Sequence, residues 1–403
     1  MILFDDSTRW GLLPLTFTRP CADFRVGICT MREKWQLALS ETAQILTAPY
    51  LSPKYTPVPL PTPSGTLYIN ATILPTPDLA RQITLLDIGE ALCDEQTAVA
   101  WRISGNNPPY TYQQTTNPDL AAHIQQQYRC QTPANYRQLR HWYDLFLCNE
   151  LALRLDFAAL THARESQPLS SSNTVIGNPR HIFLEAGAQV EAAILNTSTA
   201  PIYVGKNAEI MEGCMVRGGL ALGEGAGLKM GTKIYGATTI GQYSKVGGEI
   251  NNSVIIGYSN KAHDGFMGNS VLGEWCNWGA DSNNSNLKNN YSAVSVWNYA
   301  TRNYQNTNLQ FCGMVMGDHS KCGINTMFNT GTTIGVCANV FGSGFPNKHI
   351  PSFAWGGAEQ ITAYHFEKAI ETARRVTERR HIDLSNTDCD ILRSVQQQDP
   401  LNP

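Results

Sequence analysis

The chain has 403 residues, enough for two or three domains, and its 30 basic and 33 acidic residues nearly cancel. That balance excludes a long-range field for gathering nucleic acid, so an anionic ligand must be met by a local basic site. The 11 cysteines include no C-x-x-C pair and no stretch approaches the roughly 20 apolar residues of a membrane span; Cys214, Cys276 and Cys322 read as small buried hydrophobes in a reducing, cytoplasmic setting, without disulfides or zinc ligands.

The N-terminus, Met1-Ile2-Leu3-Phe4-Asp5-Asp6, has neither a basic n-region nor a long apolar run. Thr30-Met31-Arg32-Glu33 forms a capping box that opens a helix through Leu39. Residues 47–65 are a proline-rich loop, and 67–73 a strand. Residues 136–160 are expected to be helical, with Leu139, Trp142, Leu145, Phe146 and Leu153 on the apolar face. Residues 1–165 are therefore expected to form an α/β domain, followed by a linker over 166–173.

From residue 174 to 345 a six-residue period takes over. Val204, Ile210, Val216, Leu222, Leu228, Ile234, Ile240 and Val246 recur every sixth position. Four residues after the first seven stand Ala208, Cys214, Leu220, Ala226, Thr232, Thr238 and Ser244, all small but Leu220. Met316, Cys322, Phe328, Ile334 and Val340 resume the run. Six fits neither the helical 3.6 nor a simple two-residue alternation. It fits a coil of three flat faces, one hexapeptide each, with aliphatics stacked inside: a parallel β-helix. Gly205, Gly223, Gly241, Gly257, Gly273, Gly317 and Gly335 mark turns that need an unusual backbone angle or a close approach.

The register breaks twice. The first break, between Ile256 and Leu272, contains Lys261-Ala262-His263-Asp264-Gly265-Phe266; the second, over 283–310, carries nine asparagines. Both read as loops thrown out from a rigid scaffold, where binding and catalysis concentrate. His263 is the candidate general base, with Asp264 or Glu249 to orient or charge-stabilise its imidazole. His319 lies in a repeat turn and reads as exposed or structural. Tyr291, Trp297, Tyr299 and Tyr304 of the second break would be an exposed liability on a monomer. They are expected to reach a neighbouring subunit, and the flat faces suggest a homotrimer.

Residues 356–403 form a C-terminal tail with a helix over 358–380. Phe366, Ile370, Ala373 and Val376 lie on one side of it. Arg374, Arg375, Arg379 and Arg380 form either a solvated face or a phosphate contact.

Several phrases carry a resemblance: Leu13-Pro14-Leu15-Thr16-Phe17-Thr18-Arg19-Pro20, Arg25-Val26-Gly27-Ile28, Glu33-Lys34-Trp35, Lys245-Val246-Gly247-Gly248-Glu249 and Asn283-Asn284-Ser285-Asn286-Leu287-Lys288. Over nearly its full length the chain resembles a shorter bacterial form of the bifunctional UDP-N-acetylglucosamine diphosphorylase and glucosamine-1-phosphate N-acetyltransferase family, within the hexapeptide-repeat acyltransferases. The resemblance implies a reduced nucleotidyltransferase-like α/β domain, then a left-handed parallel β-helix that trimerises, then the C-terminal helix. It implies acetyl-CoA as co-substrate and His263 as general base, in a Lys-Ala-His stretch one residue shorter than the family's. Acceptor contacts fall on Lys233, Glu249, Asn251, Phe266, Asn283, Asn286 and Lys288. Phe266, Asn251 and Leu287 replace a tyrosine, a lysine and a tyrosine of the family. Backbone positions facing CoA fall at Ala280, Ile324 and Gly342.

In the first domain Thr8-Arg9 is similar to the end of a nucleotide-holding Gly-x-Gly-Thr-Arg loop, but Asp5-Asp6-Ser7 replaces the glycines, and Asn70 stands at the family's metal-binding aspartate. By that likeness a nucleotide meets Asp5, Asp6 and Arg9, with Mg2+ required if the domain is active. Either the metal site is rebuilt or the domain binds without catalysing. Three functions compete: N-acetyl transfer to an amino-sugar phosphate with or without uridylyl transfer, acyl transfer to another acceptor, and a non-catalytic trimeric scaffold.

Overall fold

The computed structural model describes residues 1–58 and 60–401 and divides into two compact units. The first comprises Met1–Phe24 and Cys29–His141; the second comprises Arg25–Ile28 and the chain from Trp142 onward.

The first unit is built on a mixed six-stranded sheet. Ile2–Phe4 pairs in parallel with Gln44–Leu46 on one side and with Thr66–Asn70 on the other. Ala98–Ile103 runs antiparallel between Thr66–Asn70 and Glu90–Cys93, and Arg129–Gln131 closes the far edge in parallel with Glu90–Cys93. Phe4, Tyr68, Trp101 and Tyr110 pack on one another in its core. The capping box forms as read: Thr30 Oγ1 accepts from Glu33 N, and Thr30 N donates to the Glu33 carboxylate (2.7 Å), opening the helix Met31–Leu39. The expected strand over 67–73 is two strands, Thr66–Asn70 and Ile73–Leu74. Cys93 and Cys130 form a disulfide between the edge strand Arg129–Gln131 and its neighbour Glu90–Cys93, which corrects the expectation of none. Cys214, Cys276 and Cys322 are free and buried, as expected.

The second unit is a parallel β-helix. Its first sheet stacks nine strands, from Ile182–Leu184 to His349–Ile350. A second sheet begins Gln189–Val190, Glu209–Ile210, Gly227–Leu228, and a third begins Thr174–Ile176, Ile194–Asn196, Met215–Arg217. All stack in parallel register, so Val204 meets Leu222 and Val216 meets Ile234. The inward aliphatics form one continuous core. The repeat glycines other than Gly257 serve close approach, and all of them stay out of the left-handed region. A Cβ on Gly241 would stand 1.8 Å from the Ile256 carbonyl oxygen, and one on Gly335 2.3 Å from Ser352 N. Positive φ falls two residues later, at Asn207, Tyr243, Trp275 and His319. Tyr243, Tyr258, Trp275 and His319 stack ring on ring along that corner.

The first break in the six-residue register is not an inserted loop. First-sheet partners lie eighteen residues apart in the early coils (Ile202 with Leu220), then fifteen (Thr239 with Val254) and seventeen (Val254 with Val271). The coils shorten there, and Asn260–Lys261 and Phe266–Gly268 remain in the second and third sheets. Only the second break is an insertion, since Val271 meets Val315, forty-four residues on. It folds into an antiparallel hairpin, Ser295–Asn298 with Asn303–Asn306. Its Trp297 stacks on His349 of the same chain at 4.1 Å, and Tyr299 meets the same imidazole edge-on at 5.6 Å. Those two aromatics are therefore partly buried within the chain rather than free; Tyr291 and Tyr304 stay exposed.

The expected helix over 136–160 is broken into Asp144–Leu147 and Asn149–Thr161, behind the short strand Arg137–Gln138. Ile361–Ala363 pairs with Ala354–Gly356 as an edge strand, so the C-terminal helix starts at Phe366 and runs to Glu378. A second helix, Asn386–Gln398, was not foreseen. After it, Asp399 accepts hydrogen bonds from N and Oγ of Ser352 on the last coil (2.8 and 2.6 Å). It closes the solenoid end that no further coil covers. Among the described residues no helix is long and apolar enough to cross a membrane.

Candidate functional site

The site is assembled on one edge of the β-helix and on the sheet beside it. Each coil turns from the second sheet to the third through a short corner. Successive corners hold Gly247 and Gly248, then His263 and Asp264, then Ala280 and Asp281, then Ile324 and Asn325, then Gly342. Backbone bonds climb this edge: Asp281 N donates to the Asp264 carbonyl (3.0 Å), and Asn325 N to that of Ala280 (2.9 Å). Stacking thus places His263, Ala280, Ile324 and Gly342 along one line. The coils can approach only because two corners are glycine: a Cβ on Gly265 (φ +114) would lie 2.2 Å from Ser282 O, and one on Gly279 2.1 Å from Gly323 O. Ile324 is 71% exposed, an apolar side chain in solvent on this edge. A Cβ at Gly342 would meet nothing within 4 Å.

His263 is exposed, and its imidazole bonds no described residue. Neither Glu249 nor Asp264 hydrogen-bonds it; the Glu249 carboxylate accepts a bond from the Tyr235 hydroxyl. That bond pushes the Tyr235 pKa up, behind burial as the larger cause.

On the third sheet, Lys233, Glu249 and Phe266 occupy one register position on consecutive strands, and Tyr235 and Asn251 occupy another. The residues between them, Ile234, Ile250 and Met267, point into the core, so these five project outward on the same face. Phe266 lies across Gly268, whose Cβ would meet its ring at 2.5 Å and Asn286 Nδ2 at 2.7 Å. Asn286 in turn donates to Asn269 Oδ1 (2.8 Å). Asn283 joins sheet to edge: its Oδ1 accepts from Phe266 N (2.7 Å) and its Nδ2 donates to Asp281 O (2.9 Å). Lys288 is directed elsewhere. Its Nζ donates to Ala293 O (2.6 Å) at the base of the inserted hairpin.

Asp5, Asp6 and Arg9 come together in the first unit, all buried. Asp5 accepts from Cys21 N (2.8 Å) and Thr47 Oγ1 (2.6 Å) and pairs with Arg9. Arg9 is 1% exposed and donates to Thr16 O (2.9 Å). Asp6 accepts from Asn70 Nδ2 (2.6 Å) and caps the short helix Ser7–Leu12; burial pushes its carboxyl up, against those bonds. Among the described residues no group of His, Cys, Asp and Glu could hold a metal ion. A cleft of about 530 Å³ in the same unit, lined by Tyr110, Gln114, His123, Gln127 and Tyr128 among others, includes none of the three.

Tyr235 and the cleft went unread in the sequence. Tyr235 was within reach, because a strand that presents Lys233 outward presents residue 235 on the same face. The cleft had no motif to mark it.

Residues 1–165 match the sugar nucleotidyl transferase family. No curated protein matches the chain. Solved structures similar to it include the polySia specific acetyltransferase NeuO (TM-score 0.27, 11% identity, 52% of this chain and 99% of that one). Others are the UDP-N-acetylglucosamine acyltransferase of Arabidopsis (0.22, 15%, 52% and 76%) and the polysialic acid O-acetyltransferase OatWY (0.20, 13%, 48% and 85%).

Proposed function

We propose that the β-helix transfers an acetyl group from acetyl-CoA to the amine of an amino-sugar phosphate resembling glucosamine-1-phosphate, in the manner of the bifunctional family described above. One observation carries the reading: an unencumbered imidazole, His263, stands on the edge that aligns Ala280, Ile324 and Gly342, beside a face that groups Lys233, Glu249, Tyr235, Phe266 and Asn286. Acetyl-CoA lies along the edge. Lys233 meets the sugar phosphate as a point charge. Glu249, held by Tyr235, faces the acceptor's ammonium and hydroxyls.

The amine arrives mostly as ammonium, which has no lone pair to attack with. His263 takes its proton, and the nitrogen adds to the thioester carbonyl. The tetrahedral intermediate gives up its second N–H proton to solvent and collapses with loss of the CoA thiolate, which recovers the first proton from the imidazolium as free CoA. The outward apolar side chains Ile194 and Met215, in register with Lys233, suit a homotrimer in which a second copy covers this face.

For the first unit, the pairing of Asp5 with Arg9 and the bonding of Asp6 to Asn70, all buried, favour a domain that binds without catalysing. UTP with magnesium is expected to yield no pyrophosphate from a sugar phosphate; its appearance would reverse that assignment. The acetyl-transfer reading is tested by release of CoA thiol against a panel of amino sugars. Turnover is expected with a 1-phosphorylated amino sugar. No thiol release with any amine acceptor would defeat it.

A further inference from the structure

One ammonium occupies a place the repeat reserves for an aliphatic. On the second sheet the inward position runs Val190, Ile210, Leu228, Val246, Lys261 on successive coils. Lys261 is 1% exposed. Its Nζ donates to the carbonyl of Gly247 on the preceding coil and to that of His263 two residues on, each at 2.9 Å. Burying an ammonium against neutral partners is unfavourable, and a hydrophobe of similar volume at such a position is commonly neutral or stabilising. Burial accordingly pushes the Lys261 pKa down to about 8, with nearby Asp264 opposing. The side chain is therefore retained for what its bonds do.

Those bonds converge on the turn 262–265. The turn's other carbonyls, of Asp264 and Gly265, accept from Asp281 N (3.0 Å) and Glu249 N (3.2 Å). Its far end is clamped by a second polar intruder in the core. Asn284, 2% exposed, accepts from Gly268 N (3.0 Å) and donates to Gly268 O (3.1 Å). The two polar side chains thus hold the segment that carries His263 and Phe266 at both ends.

We propose that Lys261 is a positioning residue for His263: by holding the Gly247 and His263 carbonyls together, it fixes the turn and the direction in which the imidazole leaves it. That His263 acts as the base rests on the acetyl-transfer reading; the clamp itself does not.

The test uses the full chain as wild type, Lys261→Met and Leu228→Ala, with hydrogen exchange of the Glu249 and Asp281 amides, melting temperature and steady-state kinetics. Lys261→Met is expected to fold, to speed exchange of both amides by about tenfold or more, and to lower kcat by about 10- to 100-fold, the scale on which small misplacements act. KM for acetyl-CoA should stay within about twofold. Leu228→Ala, a cavity on the same sheet, should lower the melting temperature and leave kcat unchanged. If Lys261→Met fails to fold, Lys261→Gln, which removes the charge and shortens the reach, replaces it. Unchanged exchange at both amides in the folded variant overturns the proposal. If the wild type transfers no acetyl group, the acetyl-transfer reading fails, and exchange alone decides the clamp.

Discussion

A positioned base is worth about 10²- to 10⁴-fold in rate. His263→Ala should therefore lower kcat by that order and leave CoA binding nearly intact, and His263→Gln should do no better, because an amide does not cycle a proton. Near wild-type turnover in His263→Ala at neutral pH would place the base elsewhere. Lys233→Ala should raise KM for a phosphorylated acceptor and spare an unphosphorylated one; an equal effect on both would remove the phosphate from Lys233. Lys261 adds a stability signature. Its folded pKa lies near 8 against an ordinary 10.5, so between those values the unfolded chain binds the extra proton and stability rises with pH. At pH 7 the full cost of the buried charge, on the order of 3 kcal/mol, is present. Lys261→Met is thus expected to be no less stable than wild type at pH 7. Its advantage should shrink as pH rises from 8 to 10.5, as read from urea midpoints. An advantage independent of pH would mean that the buried charge is not its source.

At the scale of elements, the inserted hairpin is docked by aromatic stacking on His349, whose pKa burial pushes down to about 4. The sign follows from linkage. Between pH 6.5 and 4 the unfolded imidazole is protonated and the folded one is not, so stability is lost as pH falls through that window. Proteolytic cleavage within 285–310 should accelerate over it, and His349→Gln should flatten the dependence. Cleavage that tracks some other pH range would detach the hairpin from this histidine. The corner at Gly265 makes a second prediction. Its φ of +114 and the 2.2 Å approach of Ser282 O leave no room for a methyl. Gly265→Ala should lower the melting temperature by several degrees, whereas Gly342→Ala, where a Cβ meets nothing, should be milder by calorimetry despite its φ of +106.

For the whole molecule, a trimer is expected, and a monomeric mass at micromolar concentration would exclude it. Trp297 and Tyr299 were expected to seek a neighbour, yet they pack on His349 of their own chain. Apolar side chains left outward include Ile176, Ile194 and Met215 on the third sheet and Ile324 on the edge. Met215→Lys should weaken association more than Tyr304→Lys in the hairpin, as measured by sedimentation.

The hexapeptide period, read from Val204 to Val246 alone, determined the parallel β-helix, because stacked coils repeat one inward aliphatic per face and nothing else imposes that spacing. The capping box at Thr30 was equally legible, since both of its partners lie within one turn of chain. Tertiary structure decided what depended on coil length. Fifteen- and seventeen-residue coils look like an insertion when only the six-residue register is followed, so Lys261 read as a loop residue although it lies in the core beneath His263. It also decided partnership across coils. Tyr235 with Glu249, Asn283 with Phe266, and Lys261 with Gly247 are contacts between residues stacked a coil apart. Their side-chain directions follow from a register that the amino-acid order does not state. The Cys93–Cys130 pairing was hidden for the same reason, because two cysteines separated by 37 residues meet only once their neighbouring strands have paired in the sheet.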